Sequence, residues 1–175
     1  MRREPSVRYL LGRGSANDSK RSDALKPWVK VLLVTVLVTI AAMVLGPIIW
    51  PIAEGGAEPT AGQLTLFIVL EAIQSLAIGA GVSYLLFGLS AVRKVSPNPR
   101  LIAWAMYLSI GWLLVSWWPH SHLHQVVGEN LQGLLYIEYG FHVTSIAAAI
   151  VLAYCFLLLI RQRSDVMAPP TARVR

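Results

Sequence analysis

Four long runs of apolar residues, interrupted only by isolated polar side chains, make up most of this chain and predict its elements. They cover residues 31–50, 64–89, 101–118 and 134–160. About 20 apolar residues rising ~1.5 Å each cross the ~30 Å hydrocarbon layer of a bilayer, so each run predicts one transmembrane helix. Periodicity does not separate helix from strand in wholly apolar runs, but the lengths favour helix. The ~10-residue alternation of a membrane β-barrel is absent from the sequence.

The first run, VLLVTVLVTIAAMVLGPIIW, carries no charge and has two threonines, whose hydroxyls can bond back to carbonyls of their own helix. Gly46-Pro47 and Pro51 predict a kink or an end at its far side, because proline lacks the amide donor and crowds the preceding turn. A cleaved signal peptide would have an apolar core of about 7–15 residues closed by small residues. This run is longer, follows a polar segment and ends in GPIIWP, so it is expected to remain as a span. The second run contains Glu71, Gln74 and Ser75 and then becomes rich in small residues, AIGAGVS; the fourth contains Glu138 and His142.

Charge adds an orientation. All fifteen lysines and arginines fall up to Lys30, between the second and third runs (Arg93, Lys94, Arg100), or after Ile160. The other two connections carry only acids, Glu54, Glu58 and Glu129. Basic residues flanking spans stay on the cytoplasmic side, which predicts both termini inside and the connection between helices 3 and 4 outside. The expected fold is therefore an all-α integral membrane protein, a four-transmembrane-helix bundle of the cytoplasmic (inner) membrane, with a short extracytoplasmic interfacial segment between helices 3 and 4. Residues 1–29 and 162–175 read as disordered basic cytoplasmic tails around a transmembrane domain at 30–161.

Composition agrees: the chain is 55% hydrophobic and 14% charged, with a mean hydropathy of +0.58, which would leave a soluble domain with large exposed apolar patches. The net charge of +6 follows from topology, so the expected partner is the lipid bilayer, joined by further copies or a larger membrane complex, and not nucleic acid. The lone Cys155 lies within the fourth run and reads as a buried apolar thiol.

Candidate chemistry sits where polar groups are expensive. A carboxylate at mid-membrane costs on the order of 2.5–3.5 kcal/mol, so Glu71 and Glu138 need partners, water or a proton. Both belong to the outer half of the bilayer by their distance from the outer ends of their helices, as does His142. Glu138, His142, Ser145 and Ala149 fall on one stripe of an uninterrupted helix, and Glu71, Gln74 and Ser75 on one sector of another, so both stripes are expected to turn inward. Between helices 3 and 4, WWPHSHLHQVVGEN concentrates three of the four histidines behind two tryptophans suited to the membrane interface. If this segment is helical, His120 and His124 form an i, i+4 pair and His122 points away; if extended, all three share a face.

Imidazoles and carboxylates meeting at one level are a transition-metal ligand set. The expected ligands are His120, His124, Glu138 and His142, with Glu71 and His122 as further candidates, a Cu, Zn or Fe ion as cofactor, and Gln74 and Asn130 orienting the ligands from outside. The signal has no motif behind it: HExxH is absent, and Glu138 and His142 are i, i+4 where the diiron pattern requires i, i+3. The principal expectation is thus a multi-pass membrane protein binding a transition metal at its outer leaflet. Two alternatives stay open: a metal-free acid/base enzyme using Glu71, Glu138 and His142 on a lipidic substrate, and a non-catalytic accessory subunit or proton-path element. The sequence does not decide whether the chain is an enzyme.

Overall fold

The computed structural model describes residues 25–51, 59–96 and 100–167. The N-terminal tail up to residue 24, the acids Glu54 and Glu58 and the tail from residue 168 lie outside the described residues. The described chain is helical without a strand: α1 (Pro27–Ile49), α2 (Ala61–Phe87), α3 (Leu89–Val95), α4 (Arg100–Val115), α5 (Trp117–Val127), α6 (Leu131–Glu138), a π-helical turn (Tyr139–Val143) and α7 (Thr144–Met167). Three helices, Pro27–Ile49, Ala61–Phe87 and Leu131–Gln162 through the π turn, are long and apolar enough to cross a membrane; the bent pair α4 and α5 makes a fourth if counted as one.

Local chemistry explains where the helices begin and end. Pro27 opens α1, where its missing amide costs nothing, so the helix starts before the expected residue 31. Pro47 is accommodated in its last turns, and the helix stops at Ile49, ahead of Pro51. A reciprocal cap starts α2: Thr60 Oγ1 accepts from the Gln63 amide at 3.5 Å while Gln63 Oε1 accepts from the Thr60 amide at 2.9 Å. At the other end α7 continues to Met167, past the expected end at residue 160.

The expected third span, 101–118, is broken. After Val115 the chain bends by 41° and resumes as α5. Pro119 explains the break: it removes the amide that would bond the Val115 carbonyl four residues back, and its ring crowds that carbonyl. Gly128, with φ 56°, then stops α5 in a left-handed conformation that glycine adopts without strain. The Asn130 side chain starts α6 by accepting from the Gly133 amide at 3.1 Å.

The four long elements of the expected bundle pack mainly as a row, α1 on α2, α2 on α4 and α4 on α7. Only 11% of the most apolar window of α1 is buried, and 22% of that of α2, and large apolar residues such as Leu37, Ile68 and Ile150 are exposed. Where helices do meet, small and hydroxylated residues line the contact. A Cβ on Gly79 would lie 2.5 Å from the Thr35 carbonyl oxygen of α1, and Ser83 donates to the Val31 carbonyl at 3.1 Å. Farther along, Val92, Ala103, Met106, Tyr107 and Cys155 form a buried cluster joining α3, α4 and α7, in which the Tyr107 hydroxyl donates to the Leu85 carbonyl. Cys155 is 1% exposed, as an apolar packing role requires.

These contacts give the molecule two chemically different ends. Ser83 against Val31 sets α1 and α2 antiparallel, which puts the C-terminal end of α1 and the N-terminal end of α2 beside α5. That end gathers all four histidines. Lys30, Arg93, Lys94, Arg100 and Arg161 belong to the other.

Candidate metal centre

The segment after Trp117 takes the helical form, which puts His120 and His124 one turn apart on one face of α5 and His122 on the opposite side. Their rings meet edge to face, 4.5 Å between centroids. Glu138, at the end of α6, reaches back across the Gly128 turn: its Oε1 lies 3.0 Å from His124 Nε2 and its Oε2 2.5 Å from His142 Nδ1. One ligand atom from each of His120, His124 and Glu138 lies within 4.8 Å of the others. An ion bound among these donors would draw them closer together, since Zn–N and Zn–O distances are about 2.0–2.2 Å.

Aromatic packing holds His120 in place. Its ring stacks on Phe141 at 3.8 Å between centroids, and Trp117 packs edge to face with Phe141 at 5.0 Å. His120 Nδ1 is buried without a hydrogen-bond partner, an unsatisfied lone pair or N–H that normally demands an explanation. His124, Glu138 and His142 are one third to one half exposed, so the donors are partly open at the surface of the molecule. Beside them lies an apolar cavity of about 460 Å³ between α4, α5 and the π turn, lined by His120 together with Trp112, Leu123, Tyr136 and Phe141.

The π turn corrects the expected stripe on the last span. One residue inserted into a helix rotates the remainder of that helix by about 100°. Phe141, Ala148 and Cys155 face inward, Ser145 is half-buried, and Ala149 is exposed beside the buried Ala148. His142 keeps its bond to Glu138 and remains exposed at the surface of the turn. Nothing in YGFHV marks the insertion in sequence; its residues fit an α-helix equally well.

The candidate residues divide into two groups, which one shared level in the membrane did not foretell. Glu71 does not lie beside Glu138; its Oε2 lies 3.7 Å from His122 Nε2 on the other side of α5. Its Oε1 accepts from Ser75 Oγ at 3.0 Å and from Trp118 Nε1 at 3.3 Å. His122 is 2% exposed, and its Nδ1 meets the Trp118 carbonyl at 2.8 Å. It packs so closely on α1 that a Cβ on Gly46 would lie 2.6 Å from His122 Nε2. The helical wheel already separated His122 from His120 and His124; that Trp118 and Glu71 would receive it carried no sequence signal.

Gln74 and Asn130, expected to orient the ligands, do other things. Gln74 is buried on α2 near Glu71, its Oε1 without a partner, and Asn130 is committed to capping α6. His142 Nδ1, instead, contacts the second oxygen of Glu138 at 2.5 Å. The acid/base set of Glu71, Glu138 and His142 is likewise divided, because Glu71 belongs with His122. Comparison with known protein families, curated proteins and solved structures finds no match, so the chemistry of the site is read from its own residues.

Proposed function

We propose that this chain is a four-span protein of the cytoplasmic membrane that binds a divalent transition metal at its extracytoplasmic surface through His120, His124 and Glu138. The carrying observation is the convergence of these three donors, from α5 and α6, within 4.8 Å of one another. Two imidazoles and one carboxylate with no sulfur suit Zn²⁺, Cu²⁺ or Fe²⁺ better than Cu⁺. Three protein donors leave a coordination position for water or a small ligand, as in sites that do chemistry rather than merely brace a fold. In this reading α4 and the start of α5 form the third, broken span, and the remainder of α5 lies along the interface with Trp117 at headgroup depth. The acid-only loops on the histidine side and the basic residues at the opposite end support the orientation.

His142 positions Glu138 through the carboxylate oxygen that does not face His124. Such outer partners typically contribute 10–100-fold in metal affinity. Titrating metal-free, tag-free protein with Zn²⁺ by calorimetry tests the proposal. Saturable binding of one ion per chain is expected, and His142→Ala should weaken it by about 10–100-fold without abolishing it. A titration without saturable heat in the folded wild type would refute the site.

A further inference from the structure

The second polar group, Glu71 with His122, has a cavity of its own. A cleft of about 470 Å³ opens between α1, α2 and α5, a size typical of small-molecule sites. Its walls are hydrocarbon, from Met43, Leu64, Phe67 and Ile68, and its polar part is formed by Glu71, Gln74, Ser121, His122 and Gln125.

The hydrogen-bonding state of that polar part is unbalanced. The Trp118 carbonyl can only accept, so His122 Nδ1 must carry the proton of their 2.8 Å bond. In the neutral ring Nε2 is then a lone pair, and it faces Glu71 Oε2 at 3.7 Å, beyond hydrogen-bond reach. The donors that Glu71 does have, Ser75 and Trp118, both address its other oxygen. Gln74, which also lines the cleft, is 9% exposed and its Oε1 has no partner. Its terminal amide torsion is soft, so that oxygen can turn to an incoming donor. Glu71 Oε2 and Gln74 Oε1 therefore stand without a hydrogen-bond donor at the head of an apolar cleft. Ser121 and Gln125, beside them, offer donors of their own.

We propose that this cleft binds a single-tailed amphiphile with a hydroxyl-bearing head group. Its hydroxyls donate to Glu71 Oε2 and Gln74 Oε1, and its chain lies along Met43, Leu64, Phe67 and Ile68 into the surrounding lipid. A hydroxyl both donates and accepts, which answers the acceptors and also Ser121 and Gln125; an ammonium head only donates, and an ester head only accepts. The site is separate from the proposed metal centre, since His122 and His120 project from opposite sides of α5.

Native mass spectrometry of the full-length protein with monoolein, methyl oleate and oleylamine, three lipids sharing an unsaturated chain, tests this. Monoolein should bind about tenfold more tightly than methyl oleate and more tightly than oleylamine, and Gln74→Leu should lower its affinity by about tenfold. Ile68→Trp, at a position 56% exposed and outside the packed core, should block the chain's path and abolish binding with the fold intact. His120→Ala/His124→Ala should retain monoolein, which separates this proposal from the metal reading. Equal binding of monoolein and methyl oleate, preference for oleylamine, or an unaltered Ile68→Trp variant would overturn it.

Discussion

Gly79→Leu is expected to separate α1 from α2 and to destabilise the fold by about 3 kcal/mol or more. The position leaves no room to adjust. A Cβ there would meet backbone, the Thr35 carbonyl oxygen, along with the Thr39 amide and side chain. Thr39 cannot simply swing away, because its hydroxyl donates to that same Thr35 carbonyl at 2.7 Å. Moving α1 outward would also break the Ser83 bond to Val31, and no hydrophobic drive in lipid would bring the helices back. Gly62→Ala in the first turn of α2 is the matched control, because a Cβ there meets nothing within 4 Å. Denaturant unfolding in mixed micelles should show a large loss for Gly79→Leu and no loss for Gly62→Ala.

The second large effect concerns Glu138. Glu138→Gln keeps the size of the side chain and removes its charge, and it should weaken metal binding by more than the ~100-fold upper range of an outer partner. Two imidazoles remain in that variant, and a neutral amide oxygen is a poor substitute for a carboxylate on a divalent ion. Stability should change little, because Glu138 and its histidine partners are one third to one half exposed, and ion pairs at such exposure are screened to about 0–1 kcal/mol. Zn²⁺ titration together with unfolding of the same preparation reads both quantities. A parallel loss of affinity and stability would assign Glu138 to the fold instead of the metal. Acidification should release the ion from the wild type as well, because protonated imidazoles do not ligate.

The long elements were legible because membrane helices announce themselves by length and by unbroken apolar sequence. Val31–Trp50 and Leu64–Leu89 anticipated α1 and α2 to within a few residues at each end. The His120 and His124 pair was legible once a helix was assumed, since their spacing alone puts them on one face. The bend after Val115 had its cause in plain view at Pro119 and was still missed, because the apolar run continues to Trp118 and masks the break. The π turn was invisible in principle, as Tyr139–Val143 carries no proline and no irregular spacing. The association of Glu71 with His122 is a tertiary contact between α2 and α5, and depth in the membrane could not distinguish it from an association with Glu138. Small residues in α2 predicted close packing correctly, as Gly79 shows, but not that the helices would form a row.

Elemental analysis of the detergent-purified, tag-free protein beside the His120→Ala/His124→Ala variant tests the metal centre most directly. The account predicts a near-stoichiometric transition metal in the wild type and none in a variant that is equally folded and retains the antiparallel α1 and α2 packing. A folded wild type that takes up no divalent ion even when supplied with zinc, copper and iron, or a variant that retains its metal, would contradict it.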